Sequence, residues 1–493
     1  MIQCFSGPHP NPLPEYRERG NSIALTSGIA LVLVLAAIQT CPAANVQLTI
    51  DSSQHFQTIE GFGTCLYLGA AHPYDQAWYQ DLYARDLGAS IVRMELTPWV
   101  LGQDVTNPVP LGDDIEANIR KMDFSSAGGP SAAAFIRAVN RRKLDRMLLI
   151  GSLWTPPHWM KTGDELRFGH NSGGGHLKMD ADNLQQFGRY VAAYVLGFGR
   201  YCGVPFYAVS IQNELMFKEP YNSCQYTPQE YHDAIRAVGL AFEEYGVRTK
   251  IMGPESIAPL GNFFTDKQMG WIDAVESDPA TAGFLSLFCG HGCGDGPGDL
   301  RDYWQMIRAF GRESWVTEWS GEQPDWIHAD KNGKPDGALA MAVHLNQMLS
   351  DGSDSAAAYW QCSDGGANLS IQNLMGNTPE SAQNSAKFAV ARQFFRFIRP
   401  GAIRVAVTPD APGLTASAFI HMQNRTLTIE LVNTMTSDQS VSIRLPDQPA
   451  IGQFAVYRST ATERCAARPD LTASDGAIEM TIPAEAVVTL YGQ

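Results

Sequence analysis

Two glutamates end two short apolar segments, and their positions give the first indication of chemistry in this chain. Glu214 closes the segment FYAVSIQNE, and Glu318 lies near the end of ESWVTEWS. Each segment is typical of a buried strand that carries a carboxylate at its C-terminal end. Hydrolysis of a glycosidic bond needs two such groups, one to protonate the leaving oxygen and one to attack or stabilise the sugar cation. The pair therefore predicts hydrolysis of a sugar bond, provided that the fold brings both carboxylates into one pocket.

Eight strand-like segments alternate with amphipathic helical patterns, and this alternation predicts how the glutamates are positioned. Parallel strands joined by right-handed crossovers close naturally into a barrel when there are eight units. The sequence therefore predicts an α/β fold, a (β/α)8 TIM barrel. The alternative, an open doubly wound sheet, is weakened because no glycine-rich phosphate loop follows an early strand. The predicted strands are Ile59–Thr64, Ser90–Leu96, Arg146–Trp154, Phe206–Glu214, Lys250–Ser256, Phe284–His291, Glu313–Ser320 and Ala356–Cys362, and the clearest helical patterns are Gln76–Leu87, Asn183–Tyr201, Pro228–Tyr245 and Ala338–Leu349.

A barrel would bring the two glutamates together despite their distance in the sequence. Glu214 ends the fourth predicted strand and Glu318 the seventh, with 318 − 214 = 104 residues between them. In TIM barrels the C-terminal ends of all strands face one mouth, where the catalytic groups gather. Two glutamates at such strand ends are a specific signal, whereas two isolated glutamates would not be.

The pattern changes after the barrel, and the chain is expected to contain a second folded unit. From Arg404 to Tyr491, short alternating segments are broken by Pro, Gly and Asn, which predicts a C-terminal antiparallel β-sandwich side domain. We expect a signal peptide over residues 1–44 and a strand within residues 45–58 that joins the side domain. The catalytic barrel is expected over residues 59–398 and the side domain over residues 399–493.

The first residues have the pattern of an export signal. Arg17 and Arg19 precede the apolar stretch Ile23–Ile38, and small residues lead to an expected cleavage site near Ala44. This predicts a secreted or periplasmic protein with no membrane attachment after cleavage. An uncleaved anchor is the alternative, although the stretch is shorter than the ~20 residues of a membrane span. Lipid attachment at Cys41 is a further alternative, which the residues before Cys41 disfavour because they fit a lipid-attachment signal poorly.

Charge and cysteine content limit the other functional classes. The formal net charge is 36 − 51 = −15, which disfavours nucleic-acid binding through a basic surface. Of nine cysteines, Cys4 and Cys41 fall in or before the expected signal, and the other seven are widely scattered. Their spacing matches no zinc site, so we expect neither a metal nor an organic cofactor. The cysteines are interpreted as buried thiols, although the sequence leaves disulfide pairing open.

Several segments in order resemble glycoside hydrolase family 30, the retaining β-glycosidases related to glucosylceramidases, β-1,6-glucanases and glucuronoxylanases. The resemblance extends from about Gln57 to Tyr491. The last matching segment marks, in this family, the passage from the barrel into the β side domain. The matching segments are IEGFG (59–63), SIVRMEL (90–96), SLWTPPHWMKTG (152–163), GGHLK (174–178), YAVSIQNE (207–214), GPES (253–256), ESWVTEWS (313–320) and FFRFIRPGAIRV (394–405).

The resemblance implies roles for four of these residues. Glu214 would be the general acid/base, Glu318 the nucleophile, and Asn213 a hydrogen-bond partner of the sugar 2-hydroxyl. Arg93 would lie beside the nucleophile and keep it ionised, because a nearby positive charge favours the charged carboxylate. The alternative for Arg93 is a structural ion pair with another acid, such as Glu95.

Three further residues are candidates for substrate binding. Trp154 and Trp360, at the ends of the third and eighth predicted strands, are suited to stacking on sugar faces, with core packing as the alternative. His291 ends the sixth predicted strand and is either a substrate ligand or a structural histidine. Relatives place a tyrosine soon after this histidine, whereas this chain has Gly292, Cys293 and Gly294. The sequence therefore leaves the subsite on that side open.

The loop after the eighth strand bears on the substrate. Residues 363–386 contain no Lys or Arg. Family members that bind a glucuronate branch need a cation near this point, because a carboxylate is recognised by a charged donor. Glucuronoxylan is therefore disfavoured, unless the side domain supplies the cation.

These observations predict a secreted, monomeric retaining β-glycoside hydrolase that acts on a neutral β-linked polysaccharide or oligosaccharide. The sugar, the linkage, and endo or exo action stay open among β-1,6-glucan, β-glucoside or glucosylceramide, β-xylan and β-galactan. One alternative is another (β/α)8 retaining glycosidase family, cellulase-like or β-xylosidase-like. The other is a non-catalytic carbohydrate-binding protein on the same scaffold, since fold alone does not establish function.

Overall fold

The computed structural model describes residues 46–66, 72–102, 106–126, 128–167, 171–256, 270–292, 307–364, 369–409, 411–446 and 451–493. The expected signal peptide and Cys293 lie outside these residues. Within them, no helix is long and apolar enough to cross a membrane.

Eight parallel strands form a closed barrel in sequence order, which confirms the predicted fold class. The fourth strand pairs with the fifth, and the eighth pairs with the first to close the ring. We refer to them as the first to eighth barrel strands: Gly61–Leu66, Ile91–Leu96, Leu148–Leu153, Phe206–Ser210, Lys250–Met252, Leu285–His291, Ser314–Trp319 and Ala356–Tyr359.

The helices follow the periodicity of the sequence, and local capping signals define their ends. The helix Pro228–Tyr245 is an example: Thr227 and Glu230 form a reciprocal capping box, and Gly246 ends the helix with φ +65°. The α-helices with both ends described are Ala77–Asp81, Ile115–Arg120, Gly129–Arg142, Ala181–Cys202, Pro228–Tyr245, Pro279–Ala282, Ala338–Ser350, Pro379–Asn384 and Ala386–Phe397, with a π-helical turn at Leu82–Asp86 and 3-10 turns at Pro98–Leu101, His158–Met160 and Arg308–Phe310. Residues 270–276 are also helical.

A nine-stranded sheet lies outside the barrel. The strand Val46–Thr58 pairs antiparallel with Ile403–Thr408 and parallel with Gln439–Arg444. This parallel pair makes the sheet mixed, which differs from the purely antiparallel pairing predicted from the C-terminal sequence. The strand order is Ala466–Thr472, Gln453–Ser459, Ala486–Gly492, Thr426–Asn433, Leu414–His421, Ile403–Thr408, Val46–Thr58, Gln439–Arg444 and Ala477–Ile482.

The sheet has an apolar core of its own and also packs against the last barrel helix. Its core combines residues from both ends of the strand order, such as Phe454 and Ile478, so the sheet curls over one shared interior. Phe397 of the helix Ala386–Phe397 contacts Tyr457 and Tyr491 of the sheet, with ring centroids 4.5 and 5.4 Å apart. The side domain therefore packs against the barrel through the helix Ala386–Phe397, which follows the eighth strand.

Two hairpins lie in the segment after the third barrel strand. Lys161–Thr162 pairs with His176–Leu177, and Glu165–Arg167 pairs with Asn171–Gly173. The described part of this segment therefore has short β structure. All six described free cysteines are buried, in keeping with their interpretation as thiols: Cys65, Cys202, Cys224, Cys289, Cys362 and Cys465.

Candidate active site

Glu318 and His291 are neighbours because adjacent barrel strands hold them in register. Glu318 is the penultimate residue of the seventh strand, and it lies opposite His291, the last residue of the sixth. The backbone N–H of Gly292 donates to the carbonyl of Glu318 at 2.8 Å, which continues this pairing past the strand end. Trp319 points the other way into the core and is fully buried. The alternation of a strand thus directs Glu318 into the barrel mouth.

Glu214 lies beyond the end of the fourth strand, which is shorter than predicted. The strand ends at Ser210, and Glu214 has the left-handed φ of +51°. Its N–H donates to the carbonyl of Glu255 at 2.7 Å, and its carbonyl accepts from Phe217 N–H at 2.9 Å. The apolar pattern predicts a strand up to Glu214 and gives no sign of this bend. The bend is fixed by a backbone contact to Glu255, which follows the fifth strand.

The two glutamates and His291 converge at the mouth of the barrel. One side-chain oxygen or nitrogen from each of the three residues lies within 4.8 Å of those of the other two. His291 Nδ1 is 3.1 Å from Glu214 Oε1, and His291 Nε2 is 3.9 Å from Glu318 Oε2. Carboxyl groups about 5 Å apart fit a retaining glycosidase, in which one attacks the sugar and the other transfers a proton.

Arg93 is fully buried beneath these groups and connects Glu318 with Asn213. Its Nη1 donates to Glu318 Oε2 at 2.8 Å, and its Nη2 donates to Asn213 Oδ1 at 2.6 Å. The guanidinium also lies 4.8 Å from the ring centroid of Trp154. One cation thus orients both Glu318 and Asn213.

Glu255 is a buried acid of this site that the sequence-based reasoning missed. Arg93 Nε donates to its Oε1 at 3.0 Å, and Ser152 Oγ donates to the same oxygen at 3.0 Å. The acid that shares Arg93 with Glu318 is therefore Glu255, and not the Glu95 named as the alternative. The segment GPES contains Glu255, so its position after the fifth strand was the available signal.

The pKa of Glu318 reflects a balance between burial and charge. Burial raises the pKa of this carboxyl above its usual value, while the positive charges of His291 and Arg93 act to lower it. Arg93 therefore lowers the pKa of Glu318, but the effect of burial is larger.

The pKa values of Glu214 and His291 shift so that both charged forms are favoured. Burial alone would raise the pKa of Glu214, but the hydrogen bond and charge of His291 contribute to holding it below the usual value. Burial alone would lower the pKa of His291, but the negative charges of Glu318 and Glu214 raise it. Glu214 and His291 therefore form an ion pair, with His291 Nδ1 3.1 Å from Glu214 Oε1.

The remaining candidates, Trp154 and Trp360, lie together at the mouth. Their ring centroids are 5.8 Å apart and their planes are inclined by 41°. Trp154 is 8% exposed, and Trp360 is half-buried at the end of the eighth strand. Trp360 is therefore the more exposed ring of the pair, while Trp154 also packs on Arg93.

Glu214, His291 and Glu318 are also close enough to be considered as ligands of a metal ion. However, the Arg93 guanidinium already contacts Glu318, and a second cation at this carboxylate would be repelled. We therefore interpret this trio as acid–base groups and not as a metal centre.

We expect that Arg93→Met destabilises the fold by about 3–5 kcal/mol, because it leaves Glu255 as a buried charge without its partner. Chemical denaturation measures this loss. The double variant Arg93→Met/Glu255→Gln should recover most of it, since the unpaired charge is removed. Wild-type stability in Arg93→Met would contradict the ion-pair account of this site.

The relatives of this chain whose names are given below are enzymes that act on glycans, as their names state. No protein-family model matches the chain. The endo-1,6-β-D-glucanase of Neurospora crassa is 28% identical over 225 residues, which is 42% of this chain and 44% of that protein. The chain spans about half the length of the curated relatives that it matches.

Solved structures share the fold over most of both chains. A family 30 endoxylanase from Clostridium papyrosolvens has a TM-score of 0.70 at 21% identity, covering 91% of this chain and 100% of that chain. A family 30 subfamily 8 xylanase from Clostridium acetobutylicum has a TM-score of 0.69 at 23% identity, covering 91% and 99%. At these identities the likeness establishes a barrel with an accompanying β domain.

Proposed function

We propose that this chain, whose resemblance to glycoside hydrolase family 30 the fold and the sequence comparisons support, is a retaining β-glycoside hydrolase that acts on a neutral β-linked glycan. The observation that carries the proposal is the convergence of Glu214 and Glu318, with side-chain atoms within 4.8 Å, at one barrel mouth. The relative from Neurospora crassa, named an endo-1,6-β-D-glucanase, supports the substrate class. Export and a monomeric state remain part of the proposal.

In the first step, Glu318 attacks the anomeric carbon and Glu214 protonates the departing oxygen. Arg93 donates to Glu318 at 2.8 Å and so holds the attacking carboxylate in place. The proton that Glu214 needs is available from His291, whose imidazolium lies 3.1 Å away. The bond between sugar and leaving group breaks, and an ester between the sugar and Glu318 forms.

In the second step, Glu214 acts as a base. It accepts a proton from water, whose oxygen attacks the anomeric carbon and releases Glu318 from the ester. The low pKa of Glu214, which follows from its contact with His291, favours the carboxylate required here. Asn213, oriented by Arg93 at 2.6 Å, is proposed to bind the sugar 2-hydroxyl in both steps.

The lack of positively charged side chains in the loop after the eighth strand supports an uncharged sugar as the substrate. Residues 363–386 carry no Lys or Arg, and the side domain places Arg464 against this segment through a bond from Nε to the Asn384 carbonyl at 3.0 Å. Arg464 also donates to three carbonyls of its own loop, so its guanidinium is used in holding this loop together. Glucuronate-substituted xylan therefore remains disfavoured as a substrate.

The experiment that tests the proposed function is a hydrolysis screen of the purified chain. The substrates are β-1,6-glucan, β-1,4-xylan, β-1,6-galactan and aryl β-glucoside, β-fucoside and β-xyloside. Hydrolysis of one neutral β-linked substrate, with the β-anomer as first product by NMR, is the expected result. Binding without hydrolysis would support the non-catalytic carbohydrate-binding alternative.

A further inference from the structure

Glu219 is a buried carboxyl group that the mechanism above does not use. Its residue is 1% exposed, and neither side-chain oxygen has a hydrogen-bond partner among the described residues when the group is taken as a carboxylate. A charged carboxylate buried without donors is strongly disfavoured, so such a group takes up a proton. Glu219 therefore has the surroundings of a neutral carboxylic acid.

The backbone around Glu219 fixes its carboxyl group. The turn from Glu214 to Phe217 reverses the chain, and Glu219 N–H then donates to Ser223 Oγ at 3.1 Å. The carbonyl of Glu219 lies against Gly173, where a Cβ atom would approach it to 3.0 Å. These contacts come from the loop itself and from the hairpin after the third strand, so the position of Glu219 is built into the fold.

The carboxyl of Glu219 lies within hydrogen-bond reach of the Glu214 carboxyl. Two carboxyl groups at this separation share a proton, because both cannot be charged at once. Burial raises the pKa of Glu219 well above its usual value, and the negative charge of Glu214 raises it further. The proton of the pair therefore stays on Glu219.

The other charged groups around the pair favour the same arrangement. On the Glu219 side, Glu318 is an additional negative charge that raises the pKa of Glu219. On the Glu214 side, His291 and Arg93 favour the charged form. Tyr221, next to the pair, has a raised pKa because of burial and these carboxylates, so it stays neutral.

We propose that Glu219 is a positioning residue for the acid/base: a neutral carboxylic acid whose O–H donates to the carboxylate of Glu214. This inference rests on the proposed function, in which Glu214 must be a carboxylate in the second step. The hydrogen bond from Glu219 stabilises that charged form and holds the carboxylate facing the sugar. No proton leaves Glu219 during the cycle, just as a buried neutral carboxylic acid serves as a hydrogen-bond donor in other active sites.

The test compares Glu219→Leu with Glu219→Gln in the pKa of Glu214 in the free protein, followed by the carboxyl ¹³C resonance of labelled glutamate that is absent from Glu214→Gln. Glu219→Leu removes the donor, so the charged form of Glu214 loses stabilisation and the pKa of Glu214 should rise by about one unit. Glu219→Gln retains an N–H donor of similar shape, so the pKa of Glu214 should stay near that in the wild type.

Two other outcomes would overturn the inference. If Glu219 were charged, both variants would remove a negative neighbour and lower the pKa of Glu214. If Glu219 only filled space, neither variant would change that pKa. Glu430→Gln is the matched control: Glu430 is a fully buried carboxyl in the nine-stranded sheet, and its replacement should leave the pKa of Glu214 unchanged.

Infrared spectroscopy tests the neutral state of Glu219 without any substrate. At neutral pH the difference spectrum between the wild type and Glu219→Gln should contain the carbonyl band of a protonated carboxylic acid. Glu430→Gln should remove a band of the same kind, because burial raises the pKa of Glu430 well above its usual value. Absence of the Glu219 band contradicts the inference even if Glu219→Leu fails to fold. A chain that hydrolyses no substrate but has this band would refute the proposed function alone.

Discussion

Glu318→Gln is expected to reduce the hydrolysis of an activated aryl β-glycoside by at least about 10⁴-fold, since loss of a nucleophile removes the covalent route. The amide cannot attack the anomeric carbon, and activation of the leaving group does not compensate for this. The fold should stay intact, because Arg93 keeps its pairing with Glu255 at 3.0 Å. Steady-state rates and thermal unfolding measure the two effects.

Glu313→Gln is the matched control for this prediction. Glu313 directly precedes the strand Ser314–Trp319 and lies at the opposite end of the barrel from Glu318. The same chemical change at this position should leave hydrolysis close to the wild-type rate. If Glu318→Gln kept most of its activity, or if both variants lost activity equally, Glu318 would not be the nucleophile.

Glu214→Gln is expected to slow substrates with poor leaving groups by about 10²–10⁴-fold in the first step, the usual contribution of a positioned acid. Activated aryl glycosides should react nearly normally in that step, because their leaving groups need no proton. The second step should then limit turnover, since no base activates water. The rate constants of the two steps are separated by pre-steady-state kinetics.

Added azide distinguishes this role from general damage to the site. Azide is an anion that attacks without deprotonation, so it should restore turnover of the Glu214→Gln variant and give a β-glycosyl azide. Azide should not cause the Glu318→Gln variant to form the β-glycosyl azide. Equal slowing of good and poor leaving groups in Glu214→Gln would contradict the acid/base assignment.

The architecture could be predicted from the sequence because it follows from repeated local patterns. Eight apolar segments separated by amphipathic helices give the parallel barrel, and counting them places Glu214 and Glu318 at one mouth. The strand alternation around Glu318 also predicts its inward direction. Arg93 lies on the second strand and Glu318 on the seventh, so their contact forms across the interior of this barrel.

Other features depend on tertiary contacts that leave no periodic signal. The bend at Glu214 is set by a hydrogen bond from its N–H to the Glu255 carbonyl. The apolar pattern of the sequence continues through this bend, so it predicts a strand that is too long. The parallel pair in the outer sheet arises because Val46–Thr58 inserts beside Gln439–Arg444, almost four hundred residues away. Glu219 lies in a loop, where its burial beside another acid could not be inferred from its neighbours.

The most direct measurement of the central claim is covalent labelling of the active enzyme. A 2-deoxy-2-fluoro aryl β-glycoside of the sugar identified in the hydrolysis screen should inactivate the enzyme, because the fluorine slows release of the ester more than its formation. Mass spectrometry of the digested protein should find one sugar on the peptide that contains Glu318, and Glu318→Gln should take up none. A label on another residue, or hydrolysis with inversion and no label, would contradict the account.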